Sequence, residues 1–479
     1  MGALQHRSLI EAGIDVVADG DDIFFNGDGS VCAFRIRDGH VDFKQRYVQT
    51  DRYKAELTAR RSLFGSYRNP FTDDPSVAGM SRGTGNTNVL LHNGTLWALK
   101  EDSLPIAMDP ETLETLGSSD FGGKVTSKTF TAHPKIDPVT GDMVCFGYAA
   151  KGEASADIAY YVIDTDGQVK KDVWFEAPHS AMIHDMAVTQ NYVIFPIMPL
   201  TSDVDRLKAG APHFQWEPTL DIVFGVLPRD GGADDVRWFR APNGFPGHVL
   251  NAHEDKGKIY LDITLTQGNV FPWFPPATGN ISDPGTLPAQ VARIVIDPSR
   301  KNLEADVTEL FPVVAEFPHI DDRYAMGEYR HAFLAGIDKN SPMDLSRAVG
   351  LPFNTVFNSL LHLDAQSGQV QHWTPGVSDT VQEPVFVPRS AEAAEGEGFV
   401  LQLVNRLAEG RSDLVILDST RIADGPLAVA RLPFRMKNGL HGNWSNASAF
   451  TGPKVHTTLQ GAVALAGSPI VEGTTGSRR

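Results

Sequence analysis

The chain has 479 residues, 42% hydrophobic and 21% charged, with a formal charge of −17 at pH 7; this is globular composition with length for a large core, and the acidic balance argues against nucleic acid, whose phosphates require a basic surface. Only two cysteines, Cys32 and Cys145, occur, which excludes a disulfide framework and points to a reducing compartment. The N-terminus lacks a signal-peptide pattern and no run of about 18 apolar residues occurs, so a cytoplasmic protein with no transmembrane segment is expected.

Taken in order, the apolar segments are short, alternating and bounded by Gly, Pro, Asn or Asp. They run from Val89–Leu99 through Met143–Ala149, Ile158–Ile163, Tyr192–Ile197, Asp221–Leu227, Lys258–Thr264, Val291–Ile296, Ser359–Leu363 and Gly398–Val404 to Leu414–Leu417. Their β-branched and aromatic content with period-two alternation predicts strands, and helical patterns are nearly absent. The chain is expected to be all-β.

An apolar run ending in Asp and a turn recurs at Asp109, Asp137, Asp164, Asp230, Asp297, Asp364 and Asp418, with spacings of 66, 67 and 67 from Asp164 to Asp364. Seven units of that length fill nearly the whole chain, which predicts a single seven-bladed β-propeller over residues 1–470 and a flexible tail at 471–479. A pair of β-sandwiches is the competing architecture. Three long segments rich in Pro, Gly, Phe and Trp, Lys54–Gly83, Leu200–Pro218 and Asn269–Leu287, are expected to form a lid over the propeller axis.

Four of the fifteen histidines have comparable settings beside short apolar strands: His133, His184, His248 and His441. His133 precedes Asp-Pro-Val-Thr-Gly, a tight reversal. The intervals are about one, one and three blade periods, so innermost strands of different blades would bring all four to the axis. Four neutral imidazoles there suit a borderline metal, iron, copper or zinc, and calcium is disfavoured because it prefers oxygen. His253, five residues from His248, is expected on the opposite strand face.

On these four motifs the chain resembles the carotenoid cleavage oxygenases, from about Asp22 to Trp444. The resemblance implies one Fe(2+) per chain on the four histidines, with Glu101, Glu316 and Glu383 orienting imidazoles through their other ring nitrogen. Asp22–Gly29, Phe64–Pro70, Gly85–Val89 and Leu99–Asp102 resemble the lignostilbene dioxygenase branch, which implies Phe25, Tyr67 and Lys100 around a phenol ring. A lysine and a tyrosine can both hydrogen-bond a phenolic oxygen and favour its phenolate. The implied reaction is cleavage of the interphenyl double bond of a 4-hydroxystilbene with O2 to two aromatic aldehydes. Apocarotenoid or resveratrol-type cleavage and a non-catalytic ligand-binding propeller are the alternatives, and homodimer formation stays open. Only 23 residues precede Phe24, and residues 1–20 depart from the longer start of the family, as a truncated or divergent N-terminus would.

Overall fold

The strand-forming segments owe their shape to β-branched and aromatic runs buried on both faces. Asp157–Ile163 (Asp-Ile-Ala-Tyr-Tyr-Val-Ile) and Tyr192–Ile197 are buried almost throughout, whereas the outer strand Val169–Glu176 alternates between part-buried and exposed positions. Stacking sheets face to face requires this, because middle strands then touch a neighbour on either side. The computed structural model describes residues 23–347, 356–436, 439–446 and 449–450. The expected tail at 471–479 and the atypical residues 1–20 lie outside them.

Among the described residues there are six four-stranded antiparallel sheets. Blade 1 runs from Asn88–His92 out to Thr115–Ser118, blade 2 from Lys135–Ile136 to Val169–Glu176, and blade 3 from Ala187–Val188 to Arg237–Ala241. Blade 4 runs from Phe245–Asp255 to Asp306–Phe311, blade 5 from Ala315–Ile320 to Gln369–Trp373, and blade 6 from Asp379–Pro388 to Pro426–Arg431. Each is an up-and-down meander, and the first strands of blades 3, 4, 5 and 6 touch in succession, which places them innermost.

Apolar clusters join neighbours around the ring. Trp97 and Ala107 pack with Met143 and Tyr161, Phe146 and Tyr160 with Phe195, and Ile194 and Phe224 with Ile263. Phe311 then meets Leu334 and Leu361, and Phe333 meets Val400. A two-stranded ribbon, Ser30–Arg37 with His40–Tyr47, closes the circuit. Its Val31 packs on Val89 and Leu96 of blade 1, and its Cys32 lies with Leu432 and Met436 just beyond blade 6.

The propeller expectation therefore holds, but with six blades rather than seven. The repeat explains the difference. Asp109, Asp164, Asp297, Asp364 and Asp418 all lie at the end of the third strand of a blade, each accepting backbone N–H groups in the turn to the fourth. Asp230 holds the same place in blade 3. Asp137 instead follows the first strand of blade 2, so it belongs to a different turn and does not count a blade. Both cysteines are free and buried.

Candidate metal centre

Register slips in the innermost strands aim the key side chains. Pairing slips between Pro246 and Val249, which turns out His248, between Glu316 and His319, and between Val381 and Pro384, which turns out Glu383; an extra residue in a strand re-aims what it carries. His133 stands two residues before the first strand of blade 2 and His184 three before that of blade 3. His441 lies beyond blade 6, and Glu101 two residues past the strand Thr95–Leu99.

The four predicted histidines converge, with one ring nitrogen from each within 4.8 Å of the others. Nε2 of His184 is 3.2 Å from Nε2 of His133 and 2.9 Å from Nε2 of His248. His253 stays outside the group and stacks on Tyr260, ring centroids 5.2 Å apart. The three predicted glutamates each receive an imidazole Nδ1–H: His184 donates to Glu101, His248 to Glu316 at 2.6 Å, and His441 to Glu383 at 2.8 Å. Read as sequence these acids resemble solvated surface groups, yet Glu101 is buried.

Protonation fixes what the centre can hold. With Nδ1–H directed at Glu101 and Glu316, the Nε2 atoms of His184 and His248 face each other at 2.9 Å, and where both carry lone pairs a shared cation relieves their repulsion. Nitrogens at about 2.1 Å from one ion and at right angles to each other are about 3.0 Å apart, close to the separations found. Burial, then the neighbouring imidazoles, holds His133 and His441 well below the usual histidine range, which favours their neutral form. For His184 burial acts downward, but the Glu101 carboxylate outweighs it and the net shift is upward. Burial acts upward on Glu101 and Glu316, but their imidazole partners outweigh it and hold both below the ordinary carboxylate range, while burial pushes Glu383 up. The donor set fits a borderline divalent metal.

Sequence reasoning missed Thr264, whose hydroxyl donates to Glu316 at 2.7 Å. Gly247 makes room for that pair, because a Cβ there would collide with Glu316 Oε1 and Thr264 Oγ1. The Gly247-His248 dipeptide was the signal that could have found it. Also missed was Asp185, which bonds Lys135 at 2.8 Å and the Val249 N–H at 2.9 Å. Both Lys135 and Asp185 line a cavity of about 530 Å³ reaching His133, His248 and His441.

The structure also gathers Phe25, Tyr67 and Lys100. Lys100 is buried, with Nζ 3.2 Å from the Phe25 carbonyl and 3.4 Å from Asp102. Phe25 lies 6.1 Å from Tyr67, 5.3 Å from Phe271 and 5.7 Å from Trp273, centroid to centroid. Burial pulls the Lys100 ammonium below the usual lysine range, with Asp102 opposing, and pushes the Tyr67 phenol up. The three long segments pack on one another here: Tyr67 meets Phe274, Phe214 meets Phe274, and Asn69 donates to the Leu207 carbonyl at 2.9 Å.

The sequence model of the retinal pigment epithelial membrane protein (RPE65) family matches residues 11–446. The chain belongs to that family, the carotenoid cleavage oxygenases. It is 46% identical over 432 residues to lignostilbene-alpha,beta-dioxygenase isozyme III of Sphingomonas paucimobilis, covering 89% of this chain and 88% of that one. It is 46% identical over 423 residues to isoeugenol monooxygenase of Pseudomonas putida, covering 88% of each. The crystal structure of Pseudomonas brassicacearum lignostilbene dioxygenase superposes with a TM-score of 0.86 at 49% identity, covering 88% of each chain. This carotenoid cleavage oxygenase is thus an enzyme of a family that cleaves carbon–carbon double bonds with iron-dependent chemistry. No helix among the described residues is long and apolar enough to cross a membrane.

Proposed function

We propose that the protein cleaves the interphenyl double bond of 4-hydroxystilbenes with O2, giving two aromatic aldehydes, one oxygen atom ending in each. The observation that carries the reading is the burial of Lys100 beside Tyr67 and Phe25. A hydrocarbon substrate gives no return for burying an ammonium, whereas a phenol does.

His133, His184, His248 and His441 would hold one ferrous ion, with Glu101, Glu316 and Glu383 fixing three of the rings. Bound there, iron supplies the open coordination positions and electrons that make O2 reactive toward an alkene. Lys100 and Tyr67 donate to the 4-hydroxyl oxygen and stabilise its phenolate, raising electron density along the conjugated chain to the double bond. Phe25, itself edge-on to Phe271 and Trp273, would pack against the ring and set its angle. The segments Lys54–Gly83, Leu200–Pro218 and Asn269–Leu287 form the lid that keeps water from these groups. The enzyme works in the cytoplasm.

The isoeugenol monooxygenase relative favours a second reading on the same residues, a 4-hydroxyphenylpropene in place of the stilbene. Oxygen uptake and aldehyde release by Fe(II)-loaded protein test both. A 4-hydroxystilbene is turned over and its 4-methoxy analogue is not; a preference for the phenylpropene selects the second reading, and equal cleavage of hydroxy and methoxy compounds removes the phenolate role.

A further inference from the structure

Two pairs of sequence neighbours join the metal centre to the phenol clamp. Tyr67 and Lys100 face the aromatic cluster, while the residue after each, Arg68 and Glu101, meets the other, with Nη1 3.7 Å from Oε2. Tyr148 sits between them: its hydroxyl donates to Glu101 Oε2 and accepts from Arg68 Nη1. The other oxygen of Glu101 takes the His184 Nδ1–H. Contacts thus run unbroken from Arg68 through Tyr148 and Glu101 to His184.

Arg68 is itself held in an unusual way. Its φ is 51°, left-handed for a side chain that gains nothing from it, and such strain persists where the surroundings over-determine the backbone. The guanidinium lies 4.9 Å from the Tyr148 ring centroid and 5.5 Å from that of Phe214. The carbonyl accepts from His213 Nδ1 at 2.7 Å. The left-handed turn sends Tyr67 toward Lys100 and Arg68 toward Glu101, and Arg68 still hydrogen-bonds the Tyr67 side chain. A buried guanidinium needs carboxylates: Asp102 and Glu101 both act on Arg68, Glu101 while spending its second oxygen on the histidine.

We infer that Arg68 and Tyr148 are positioning residues that fix the rotation of the Glu101 carboxylate, and through it the tautomer and ring plane of His184, and tie both to the Tyr67–Lys100 clamp. This rests on the metal-centre reading above. Tyr148 acts through Glu101, and Arg68 acts through Glu101 and through its hydrogen bond to Tyr67.

The test is Co(II) titration of the full chain, followed by its visible absorption, for wild type, Tyr148→Phe, Arg68→Met and Tyr161→Phe. Tyr161 is the control, a buried tyrosine of the same blade whose hydroxyl accepts from Ser127 N at 3.1 Å, away from Glu101. Tyr148→Phe keeps the ring and weakens Co(II) binding about threefold to tenfold, below the 10–100-fold typical of losing a direct ligand partner, with a shifted absorption band; Tyr161→Phe changes neither. The saturated analogue 4-hydroxybibenzyl perturbs the wild-type band and leaves that of Arg68→Met unmoved. Wild type that binds Co(II) while Tyr148→Phe matches it in affinity and spectrum overturns the positioning role alone. Wild type that takes up no Co(II) overturns the metal centre and this role with it.

Discussion

The ammonium nitrogen of Lys100 lies 5.3 Å from the centroid of the Tyr67 ring, and both residues are buried. On the reading proposed above, this buried cation would receive the phenolate of the substrate. Lys100→Met keeps the volume and removes the charge. Its kcat/KM for a 4-hydroxystilbene is expected to fall about 10²–10⁴-fold, the span of a positioned proton-transfer group, with Co(II) affinity unchanged. Steady-state aldehyde formation beside a metal titration separates the clamp from the metal centre.

Two of the three glutamates predict a graded effect. Glu316 takes His248 Nδ1 and the Thr264 hydroxyl, whereas Glu101 takes His184, Tyr148 and the nearby Arg68 cation. A neutral amide is a poorer acceptor for all of these and places an NH2 against a donor. Glu316→Gln is expected to lower metal affinity about 10-fold and Glu101→Gln toward about 100-fold, read by competition with a chelator; the reverse order would place the stronger constraint on His248.

Asp28 predicts a pH dependence of stability. It is buried, and neither carboxyl oxygen has a protein partner. Burial raises it to about 6, with Arg52 opposing. The folded state therefore holds a proton that the unfolded chain has released between about pH 4 and 6, so this residue's contribution to stability falls as pH rises through that window. Asp28→Asn is expected to change little at about pH 4 and to stabilise by up to about 3 kcal/mol at about pH 7.5, the equivalent of about two pKa units. Urea unfolding at both values checks it, and an equal effect at the two would rule the account out.

How far the site was legible depended on whether its logic was local. The histidines carried their own signal, each beside a short strand at near-blade spacing. The Asp turns were equally local and marked the third strand of each blade, but the blade count came from spreading their spacing over the whole chain, and Asp137 agreed with it only because a turn motif does not say which strands it joins. Glu316 and Glu383 have no such mark. Their approach to His248 and His441 depends on register slips in strands about 60 residues away in sequence, and only the resemblance singled them out. Arg68 stood inside a motif that carried the resemblance, but its role comes from a left-handed φ and a tyrosine 80 residues on.

Gly247 yields the last prediction. No φ in the left-handed region is recorded for it, so the backbone alone does not demand glycine. Space does: a methyl there would strike the Glu316 carboxylate and the Thr264 hydroxyl, the two groups that hold His248 in place. Blade 4 pairs along the rest of its first strand, so the sheet can absorb a local shift while the carboxylate cannot keep its position. Gly247→Ala is therefore expected to cost metal affinity at least about 10-fold, as losing a ligand's outer partner does, with a small change in the unfolding midpoint of the metal-free protein. Gly247→Ala combined with Thr264→Ser, which removes a methyl from the crowded residue but keeps its hydroxyl, should lose as much as Gly247→Ala alone, because the collision with Glu316 remains; full recovery in the double variant would assign the constraint to Thr264 instead.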